Sequence, residues 1–446
     1  MKRYDNYKDS GIEWIGEIPS HWEFLNLKYI LRENVKDGPH ETPSWFEDGI
    51  PFLSIDGIIN GEISFEKCRY IDEEQYEKFS KKLVIEPNDI FIGKAASIGK
   101  IARVKTNRKF TVWSPIAVVK VKSDYNPIFV EYYFKSDIIQ HQIELFSTSN
   151  TQKNIAMGDI PKMKFISPPI EEQTAIANYL DQKTSEIDDL IAKKERLIQL
   201  LEEERTAMIN QAVTKGLNPT VPMKDSGIEW LGEIPEHWEC NQLRRFIEDR
   251  RKVTYGIVQP GEYDPYGHFM VRGQDYSKGW AHPDTIFRVT PKIEEPYARA
   301  RLKTGDILYT IVGAGVGNIA IVPEWLNEAN ITQTTARLAI NQEKANSEYI
   351  FYFLQSVYAE IQLSIYVKGA AQPGMNLSDL KLYYFTLPPI AEQKDIAEYI
   401  KINCSRISET TNVLSKEIEL IKEYKTALIS EVVTGKVCLD VARHKC

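Results

Sequence analysis

A fifteen-residue block occurs twice in this chain, and this repeat constrains the fold more than any other feature. Residues 9–23 read DSGIEWIGEIPSHWE and residues 225–239 read DSGIEWLGEIPEHWE, with thirteen identical positions. Two further pairs repeat deeper in each half: PPIEEQTAIANYL with PPIAEQKDIAEYI, and TAMINQAVTKG with TALISEVVTGK. The long stretches between the matched blocks share little sequence. The chain is therefore predicted to be a duplicated frame that carries two divergent inserts.

Each half ends in a segment whose apolar residues alternate at steps of four and three, the spacing of a coiled-coil seam. The predicted seam comprises Ile187, Ile191, Ile198, Leu201 and Met208 in the first half, and Ile407, Leu414, Ile418, Ile421, Leu428 and Val432 in the second. A basic residue interrupts both seams at the same place, Arg205 and Lys425. Two long helices with matching apolar stripes are predicted to pack on each other.

Prolines and glycines mark the ends of both predicted helices, because proline suits a first turn and glycine suits a left-handed C-cap. The markers are Pro168–Pro169 with Gly216, and Pro388–Pro389 with Gly435. Ser185 followed by Asp188 resembles a capping box, which would restart the first helix near Thr184. The sequence leaves open whether this helix is broken there or is continuous from Glu171 to Val213.

The inserts contain short β-branched and aromatic runs separated by Gly, Asn, Asp and Pro, the pattern of strands in a mixed or antiparallel sheet. Examples are IPFLSI from Ile50, DIFIG from Asp89, KIARV from Lys100, SPIAVVKVK from Ser114, DILYTIV from Asp306 and NIAIV from Asn318. Helical stretches are predicted near Tyr132–Glu144 and Ile350–Gln362. Each insert is therefore predicted to be an α/β (α+β) domain.

Composition limits the classes of protein to consider. With 446 residues and 43% hydrophobic side chains, each half can bury a core of its own. No run approaches the roughly eighteen apolar residues that would cross a bilayer, so a soluble cytoplasmic protein without a membrane partner is expected. The net charge of −8 argues against a nucleic-acid partner at first sight. Basic residues are nevertheless clustered locally, at Arg244, Arg245, Arg250, Arg251 and Lys252.

The glycine-rich segment Gly313–Gly317 invites a nucleotide-binding interpretation, but a phosphate loop must open a helix and the following residues, NIAIV, look like a strand. A tight β-turn fits better. The corresponding segment of the first half, GKAASIGK at residues 93–100, contributes Lys94, Ser97 and Lys100. A hairpin of this kind, rich in accessible backbone and partly basic, suits a phosphate backbone.

Two polar loops lie at equivalent positions before the last predicted strand of each insert. Glutamine and asparagine can bond the adenine edge in the major groove and lysine can contact phosphate, so these loops are candidate DNA contacts, with a solvated loop as the alternative. The candidates in the loops are Thr151, Gln152, Lys153 and Asn154, and Lys368 and Gln372. Four more candidates lie elsewhere in the second insert: Arg272, Gln274, Gln333 and Arg337.

No catalytic or metal-binding constellation can be identified from the sequence. Asp89 with Lys94 loosely resembles a nuclease site, but the second half keeps Asp306 without the lysine, so a turn or cap role is preferred for both aspartates. His21 and His237 have no second ligand at metal spacing and are predicted to be packed, hydrogen-bonded histidines beside Trp22 and Trp238.

The order of these parts resembles the specificity subunit of type I restriction–modification systems. The resemblance rests on the repeated DSGIEWIGEIPxHWE block, on TQKNI at Thr151–Ile155 and on PPIEEQxxIAxYLD at Pro168–Asp181, and it covers nearly the whole chain. One departure concerns the second half, where AQPGM stands at Ala371–Met375 in place of TQKNI. A shared base-contact role for this loop is thereby put in doubt.

The resemblance implies two target-recognition domains, at residues 1–165 and 217–385, a first conserved spacer helix at residues 166–216, and a second spacer helix with a C-terminal tail at residues 386–446. Each domain would read one half of an asymmetric bipartite site in double-stranded DNA. The helices would form an antiparallel coiled coil that sets the spacer and docks two methyltransferase subunits and the restriction subunits. Those partners would use S-adenosylmethionine, ATP and Mg²⁺, and this chain would be a non-catalytic subunit without a cofactor. The alternatives are a metal-dependent DNA nuclease acting through Asp89 or Asp306, and a protein scaffold without a DNA role.

Overall fold

A computed structural model describes residues 3–148, 153–369 and 372–439. The chain forms two compact units: unit 1 comprises Met1–Lys194 with Ser415–Cys446, and unit 2 comprises Glu195–Leu414. Each unit therefore combines one insert with the start of the helix that follows it and the end of the other long helix. Within the described ranges, no helix is both long enough and apolar enough to cross a membrane.

The first half of the chain contains, in order, β1 (Tyr7–Asp9), β2 (Glu17–Pro19), β3 (Glu23–Asn26), β4 (Lys36–Asp37), β5 (Ile50–Leu53), β6 (Ile58–Ile59), β7 (Glu62–Ile63), β8 (Arg69–Ile71), α1 (Glu73–Ser80), β9 (Ile90–Gly93), β10 (Ile101–Arg103), β11 (Thr111–Val112), β12 (Ile116–Val119), α2 (Pro127–Lys135), α3 (Asp137–Phe146), β13 (Ser147–Thr148), β14 (Asn154–Ile155), β15 (Lys164–Ser167) and α4 (Ile170–Lys215).

The second half continues with β16 (Met223–Asp225), β17 (Glu233–Pro235), β18 (Glu239–Gln242), β19 (Thr254–Tyr255), β20 (His268–Val271), β21 (Arg288–Val289), α5 (Pro291–Glu294), β22 (Ile307–Thr310), β23 (Ile319–Ile321), β24 (Asn330–Ile331), β25 (Thr335–Leu338), α6 (Ser347–Leu354), α7 (Val357–Tyr366), α8 (Leu377–Leu380), β26 (Tyr384–Leu387) and α9 (Ile390–Val433).

The two inserts share one sheet topology although their sequences differ. The antiparallel four-stranded sheet runs β10-β9-β12-β4 in unit 1 and β23-β22-β25-β19 in unit 2. A three-stranded sheet runs β11-β5-β8 in unit 1 and β24-β20-β21 in unit 2, and its first pair is parallel in both. The predicted α/β (α+β) class and the internal repeat are confirmed, and the duplication extends through the inserts.

The predicted helical stretches of the inserts are each divided into two helices, α2–α3 and α6–α7. Ser136 and Ser356 mark the divisions, with extended backbone conformations and buried side chains. Each hydroxyl donates a 2.6 Å hydrogen bond to a carbonyl three residues earlier, that of Tyr133 or Phe353. The extended backbone at each serine ends the first helix, so a single continuous helix is not formed.

Helices α4 and α9 begin directly after the predicted proline pairs. Gln173 Nε2 donates to Pro168 O at 2.8 Å, and Gln393 Nε2 donates to Pro388 O at 2.8 Å. Each glutamine oxygen also accepts the backbone N–H of the asparagine that caps the neighbouring helix, Asn126 or Asn346. The repeated EEQ and AEQ sequences therefore join each long helix to its own insert.

The first long helix is continuous, which answers the question left open near Thr184. Helix α4 runs over 46 residues without a break, and Thr184 is buried inside it with its Oγ1 atom 2.9 Å from Tyr132 Oη. Gly216 follows α4 with φ +74°. Gly435 follows α9 with φ +73°, and Lys436 N bonds Glu431 O at 2.9 Å in a Schellman arrangement. Glycine fits both ends because other residues rarely adopt positive φ.

The core of unit 1 is completed by the last turns of α9. Leu428, Ile429, Val432 and Val433 are buried in the same cluster as Trp22 and the start of α4. The core of unit 2 is completed in the same way by Ile209, Ala212 and Val213 from the end of α4. Each insert thus depends for its core on a helix end supplied by the other half of the sequence.

The predicted seam faces away from solvent. Ile191, Ile407, Leu414, Ile418, Leu428 and Val432 are buried, and Ile187, Ile198, Leu201, Met208 and Ile421 are half-buried. In unit 1, Lys194 Nζ lies 2.6 Å from Glu417 Oε2, and Lys425 Nζ lies 2.7 Å from Asp188 Oδ1. Residue numbers rise on one helix as they fall on the other, so the packing is antiparallel.

Candidate nucleic-acid interface

In unit 2, several strands end at one edge of the sheets. Parallel strands β20 and β24 end at Val271 and Ile331, and Thr332 N donates to Val271 O at 3.2 Å. Strand β22 ends beside them, because Ile311 N donates to Thr334 O at 2.8 Å. The structure therefore brings the predicted contacts Arg272, Gln274 and Gln333 to the same edge.

The glycine-rich hairpin and the second polar loop join this edge. Segment 311–317 connects antiparallel strands β22 and β23, as predicted for a tight turn. Gly313 N donates to Pro373 O at 2.9 Å, and Met375 N donates to Ile311 O at 2.9 Å. We call the segments 272–274, 311–317, 332–334, 368–369 and 372–375 edge 2. Its exposed side chains include Gln274, Gln333, Lys368 and Gln372.

Unit 1 forms the matching edge with the same backbone contacts. Trp113 N donates to Leu53 O, Lys94 N donates to Pro115 O, and Ile155 N donates to Lys94 O, each at 2.9 Å. We call the segments 54–57, 94–100, 113–115 and 153–155 edge 1. The candidates Thr151 and Gln152 lie outside the described residues.

Two glycines permit the close approach of loops beside these edges. A Cβ atom on Gly38 would lie 1.8 Å from Val112 O, and one on Gly256 would lie 1.9 Å from Ile331 O. Any larger residue would push the chain away from the adjoining strand end. The sequence alone does not distinguish these glycines, although the KDG and TYG segments that contain them lie at similar positions in the two inserts.

Arg337 is a structural residue, and its predicted DNA contact is not supported. Its side chain is 2% exposed, and its Nη atoms donate to the carbonyls of Arg299 (2.9 Å), Arg301 (3.1 Å) and Lys252 (2.9 Å). Burial and the neighbouring Arg251 lower the pKa of Arg337. The guanidinium holds three backbone segments together from inside the domain, where DNA cannot reach it.

Lys94 is likewise buried, so the prediction that it contacts DNA directly is not supported. Its Nζ atom lies 2.9 Å from Asp37 Oδ2, and both side chains are at most 10% exposed. Burial raises the pKa of Asp37, but hydrogen bonds from Lys82 and Lys94 outweigh this and hold that pKa below its ordinary value. The ammonium group of Lys94 therefore forms an ion pair with the Asp37 carboxylate.

The other predicted contacts of edge 1 are more accessible. Lys100 and Ser97 are half-buried, and Lys100 Nζ donates to Ile55 O at 3.3 Å. Lys153 and Asn154 are exposed, and Lys153 Nζ lies 3.6 Å from Glu144 Oε1. Asn154 forms an antiparallel bridge with Ala95, which places the first polar loop against the hairpin. The two predicted features of this half are therefore parts of one surface.

Arg272 occupies an intermediate position on edge 2. Its side chain is 33% exposed, and its Nη2 atom lies 3.1 Å from Asp275 Oδ1. The guanidinium carbon lies 5.7 Å from the centre of the Phe287 ring. The arginine is thus held in a defined orientation at the edge.

Residues at the edge of unit 1 that the sequence analysis missed become visible by comparison with unit 2. Ser54 and Asp56 follow β5 as Arg272 and Gln274 follow β20. Ser114 follows β11 as Gln333 follows β24. In the sequence, each of these residues is a polar residue after a β-branched or aromatic run. That pattern alone does not identify them, and the pairing of the strands in the structure does.

Asp89 and Asp306 are buried turn residues, and the carboxylate of each is paired with a cation. Asp89 Oδ2 accepts Glu86 N at 2.7 Å and lies 2.6 Å from Lys120 Nζ, and burial raises its pKa. Asp306 accepts Lys303 N at 2.8 Å and pairs with Arg251. The predicted turn role is confirmed. Within the part of the chain that the structure describes, no group of three His, Cys, Asp or Glu could hold a metal ion.

The repeated HWE sequence packs on the first turn of each long helix. His21 Nε2 lies 2.7 Å from Glu172 Oε1, and Trp22 Nε1 donates to Glu172 Oε2 at 2.9 Å. In unit 2, His237 Nε2 lies 2.9 Å from Glu392 Oε2. His21 is half-buried and hydrogen-bonded, as predicted, whereas His237 is hydrogen-bonded but exposed, so the predicted packing is confirmed for His21 and not for His237. The repeated block thus joins each insert to the first turn of its long helix.

A family model described as type I restriction modification DNA specificity domain matches residues 19–200 and 250–420. The putative type I restriction enzyme MjaX specificity subunit of Methanocaldococcus jannaschii is 28% identical over 445 residues, which cover 97% of each chain. The type I restriction enzyme EcoBI specificity subunit of Escherichia coli is 27% identical over 394 residues, covering 86% of this chain and 80% of that protein.

Two solved structures share the fold. One is described as "Structural basis underlying complex assembly and conformational transition of the type I R-M system"; a chain in it matches with a TM-score of 0.70 and 14% identity, over 94% of this chain and 99% of that chain. The crystal structure of the HsdS subunit from Thermoanaerobacter tengcongensis matches with a TM-score of 0.53 and 15% identity, over 94% and 98%. Since the family model matches most of the chain, including most of both inserts, this chain belongs to the family of type I restriction–modification DNA specificity subunits.

Proposed function

We propose that the two inserts are target-recognition domains, each of which reads one half of an asymmetric bipartite DNA site. In this proposal edge 1 contacts one half-site and edge 2 contacts the other. The long helices set the distance between the half-sites and dock two methyltransferase subunits, and in the full complex also the restriction subunits.

The observation that carries this proposal is the contrast between equal backbones and unlike side chains. Edge 1 presents Asp56 and Ser114 where edge 2 presents Gln274 and Gln333. Carboxylates accept hydrogen bonds from cytosine N4, whereas glutamine can bond the adenine edge with both a donor and an acceptor. Two copies of one scaffold with different polar groups at matching positions are suited to two different base sequences.

The hairpins favour contact with a DNA backbone. Gly313 has φ +100°, and a Cβ atom built on it would have open space around it. The open space around this glycine lets a phosphate group approach the chain closely, and Lys368 supplies a positive charge on the same edge. Phosphate contacts of this kind fix the register on which base readout depends.

The helices carry features of both a spacer and a docking surface. Their apolar seam is shielded from solvent, and the Lys194–Glu417 and Asp188–Lys425 pairs agree with an antiparallel register in unit 1. Leu200 and Leu420, which are equivalent in the two repeats, remain 44% and 55% exposed. In this proposal these equivalent leucines are candidate contacts for two copies of one protein partner.

We assign catalysis to the partner subunits, which would use S-adenosylmethionine, ATP and Mg²⁺, and not to this chain. The nuclease alternative requires Asp89 or Asp306 to bind a metal ion, but each carboxylate is already paired with a cation, Lys120 or Arg251. Mg²⁺-dependent DNA cutting by the purified chain that disappears in Asp89→Asn would establish the nuclease alternative.

Footprinting of the chain in complex with its methyltransferase partner tests the proposal. Two protected clusters separated by an unread spacer are expected, and a single continuous palindrome would contradict it. The spacer role is tested by inserting one heptad after Lys194 and another before Glu417, where the helices face each other. A heptad keeps the seam in register. A longer preferred spacer with both half-sites unchanged is expected, and an unchanged spacer would refute this role.

The scaffold alternative predicts weak DNA binding without strong salt dependence. Recognition by charged edges instead predicts that the logarithm of affinity falls linearly with the logarithm of salt concentration, because phosphate neutralisation releases counterions. Titration of the same complex at several salt concentrations separates the two.

A further inference from the structure

Edge 1 contains a buried ion pair at a point where edge 2 has an apolar residue. The backbone of Lys94 bonds Pro115 and Ile155, as the backbone of Ile311 bonds Thr334 and Met375. Lys94 and Ile311 therefore occupy the same position in the two domains. Ile311 is 4% exposed and fills its site without polar atoms. Unit 1 places an ammonium group there instead.

The partner of Lys94 is a carboxylate that several segments share. Asp37 Oδ2 lies 2.9 Å from Lys94 Nζ and 3.0 Å from His40 Nε2, and Asp37 Oδ1 lies 2.5 Å from Lys82 Nζ. Lys82 Nζ also donates to Gly38 O at 3.3 Å. The carboxylate thus joins the loop after β4, the segment just after α1 and the hairpin of edge 1.

This arrangement is poorly explained by stability alone. Replacing a buried ion pair by apolar residues of similar volume is often neutral or stabilising, and the isoleucine of unit 2 shows that the scaffold accepts this. An ion pair instead fixes the position of the lysine side chain, because the Lys94 ammonium group must lie next to the Asp37 carboxylate. Lys94 lies where three backbone segments of edge 1 meet, so fixing its side chain fixes their spacing.

We propose that Lys94 and Asp37 are positioning residues for DNA-sequence recognition by unit 1, acting through the hairpin 94–100 and the loop 153–155. This inference rests on the proposed function and deepens it. Lys94 does not touch DNA. It sets where Ser97, Lys100 and Asn154 stand, and unit 2 needs no such pair.

The test uses the complex of the full chain with its methyltransferase partner and duplexes in which each half-site is altered base by base. In Lys94→Met, discrimination at the half-site read by unit 1 is expected to fall about tenfold, comparable to losing one good base contact. Discrimination at the other half-site should not change. Lys94→Arg keeps a cation beside Asp37 and should retain most of the discrimination.

Lys105→Met is the matched control, because Lys105 also pairs with a carboxylate of unit 1, Glu62 at 2.5 Å, but on the exposed surface. Lys105 follows β10, at the end of the hairpin away from edge 1. This variant should leave both half-sites unchanged.

Unchanged discrimination in a folded Lys94→Met complex would overturn the inference. So would equal losses at both half-sites, or a Lys94→Arg variant as impaired as Lys94→Met, since either points to general destabilisation. A wild-type complex without a two-part site would refute the proposed function itself, which is a distinct result.

Discussion

Lys425 Nζ lies 2.7 Å from both carboxylate oxygens of Asp188 and joins the two long helices in unit 1. The corresponding basic residue of the first repeat, Arg205, lies 3.6 Å from Glu202 on its own helix. The polar interruption of the seam is therefore repeated in sequence, but its acidic partner lies on the other helix in unit 1 and on the same helix in unit 2. In unit 1 it crosses between the two helices, at a position that agrees with their antiparallel register.

Lys425→Met should lower the free energy of unfolding by less than about 1 kcal/mol, because the Asp188 side chain is 57% exposed and such pairs contribute little. Urea denaturation of the full chain at low and high salt measures the change. The loss should shrink as salt rises. A salt-independent loss of several kcal/mol would show that the pair carries more stability than its exposure allows.

Arg337→Met should destabilise unit 2 by about 3 kcal/mol, because three backbone carbonyls lose a charged donor that is buried inside the domain. Hydrogen exchange of the backbone amides of unit 2, together with thermal unfolding of the full chain, measures this loss of stability. Arg288→Met is a matched control, since Arg288 is a half-buried arginine of the same domain whose guanidinium lies over the ring of Phe269. A stable Arg337→Met protein that has lost base discrimination would restore the discarded DNA-contact role.

Lys368→Ala should weaken DNA binding to all sequences and reduce the slope of log affinity against log salt by about one, as expected for the loss of one phosphate contact. The exposed Gln372→Ala on the same loop should not alter this slope, because it removes no charge. An unchanged slope in Lys368→Ala would place this lysine outside the DNA interface.

Leu428→Ala should destabilise unit 1 by about 2–5 kcal/mol, the usual cost of emptying a buried leucine site. Leu428 is 3% exposed in the core of unit 1, although it lies far from that insert in sequence. Leu420→Ala is the matched control, because Leu420 lies on the same helix and is 55% exposed. Equal effects of the two variants on unfolding would contradict the assignment of the end of α9 to unit 1.

The frame could be predicted from the sequence because its signals are local. The seam spacing, the proline starts at Pro168 and Pro388, and the C-caps at Gly216 and Gly435 each depend on residues within a few turns. The hairpin at Gly313–Gly317 was predictable for the same reason. The continuity of α4 through Thr184 was not, because Tyr132 from a distant helix supplies the partner that occupies the threonine hydroxyl.

The candidate interface was only partly predictable. Gln274 and Gln333 are isolated polar residues in the sequence, and the pairing of β20 with β24 brings them to one edge. Arg337 and Lys94 were chosen as cations, but their burial depends on carbonyls and a carboxylate that only the folded chain brings near. Charge is visible in a sequence, whereas the partner that neutralises it is not.

Selection of bound sequences from randomised duplexes, with the chain in complex with its methyltransferase partner, tests the central claim most directly. Two clusters of fixed positions separated by a spacer of unspecified sequence are expected. Gln333→Ala should relax one cluster by about tenfold at a single position and leave the other cluster and the spacer unchanged. A single continuous cluster, or equal relaxation of both clusters by Gln333→Ala, would contradict two domains that read two half-sites independently.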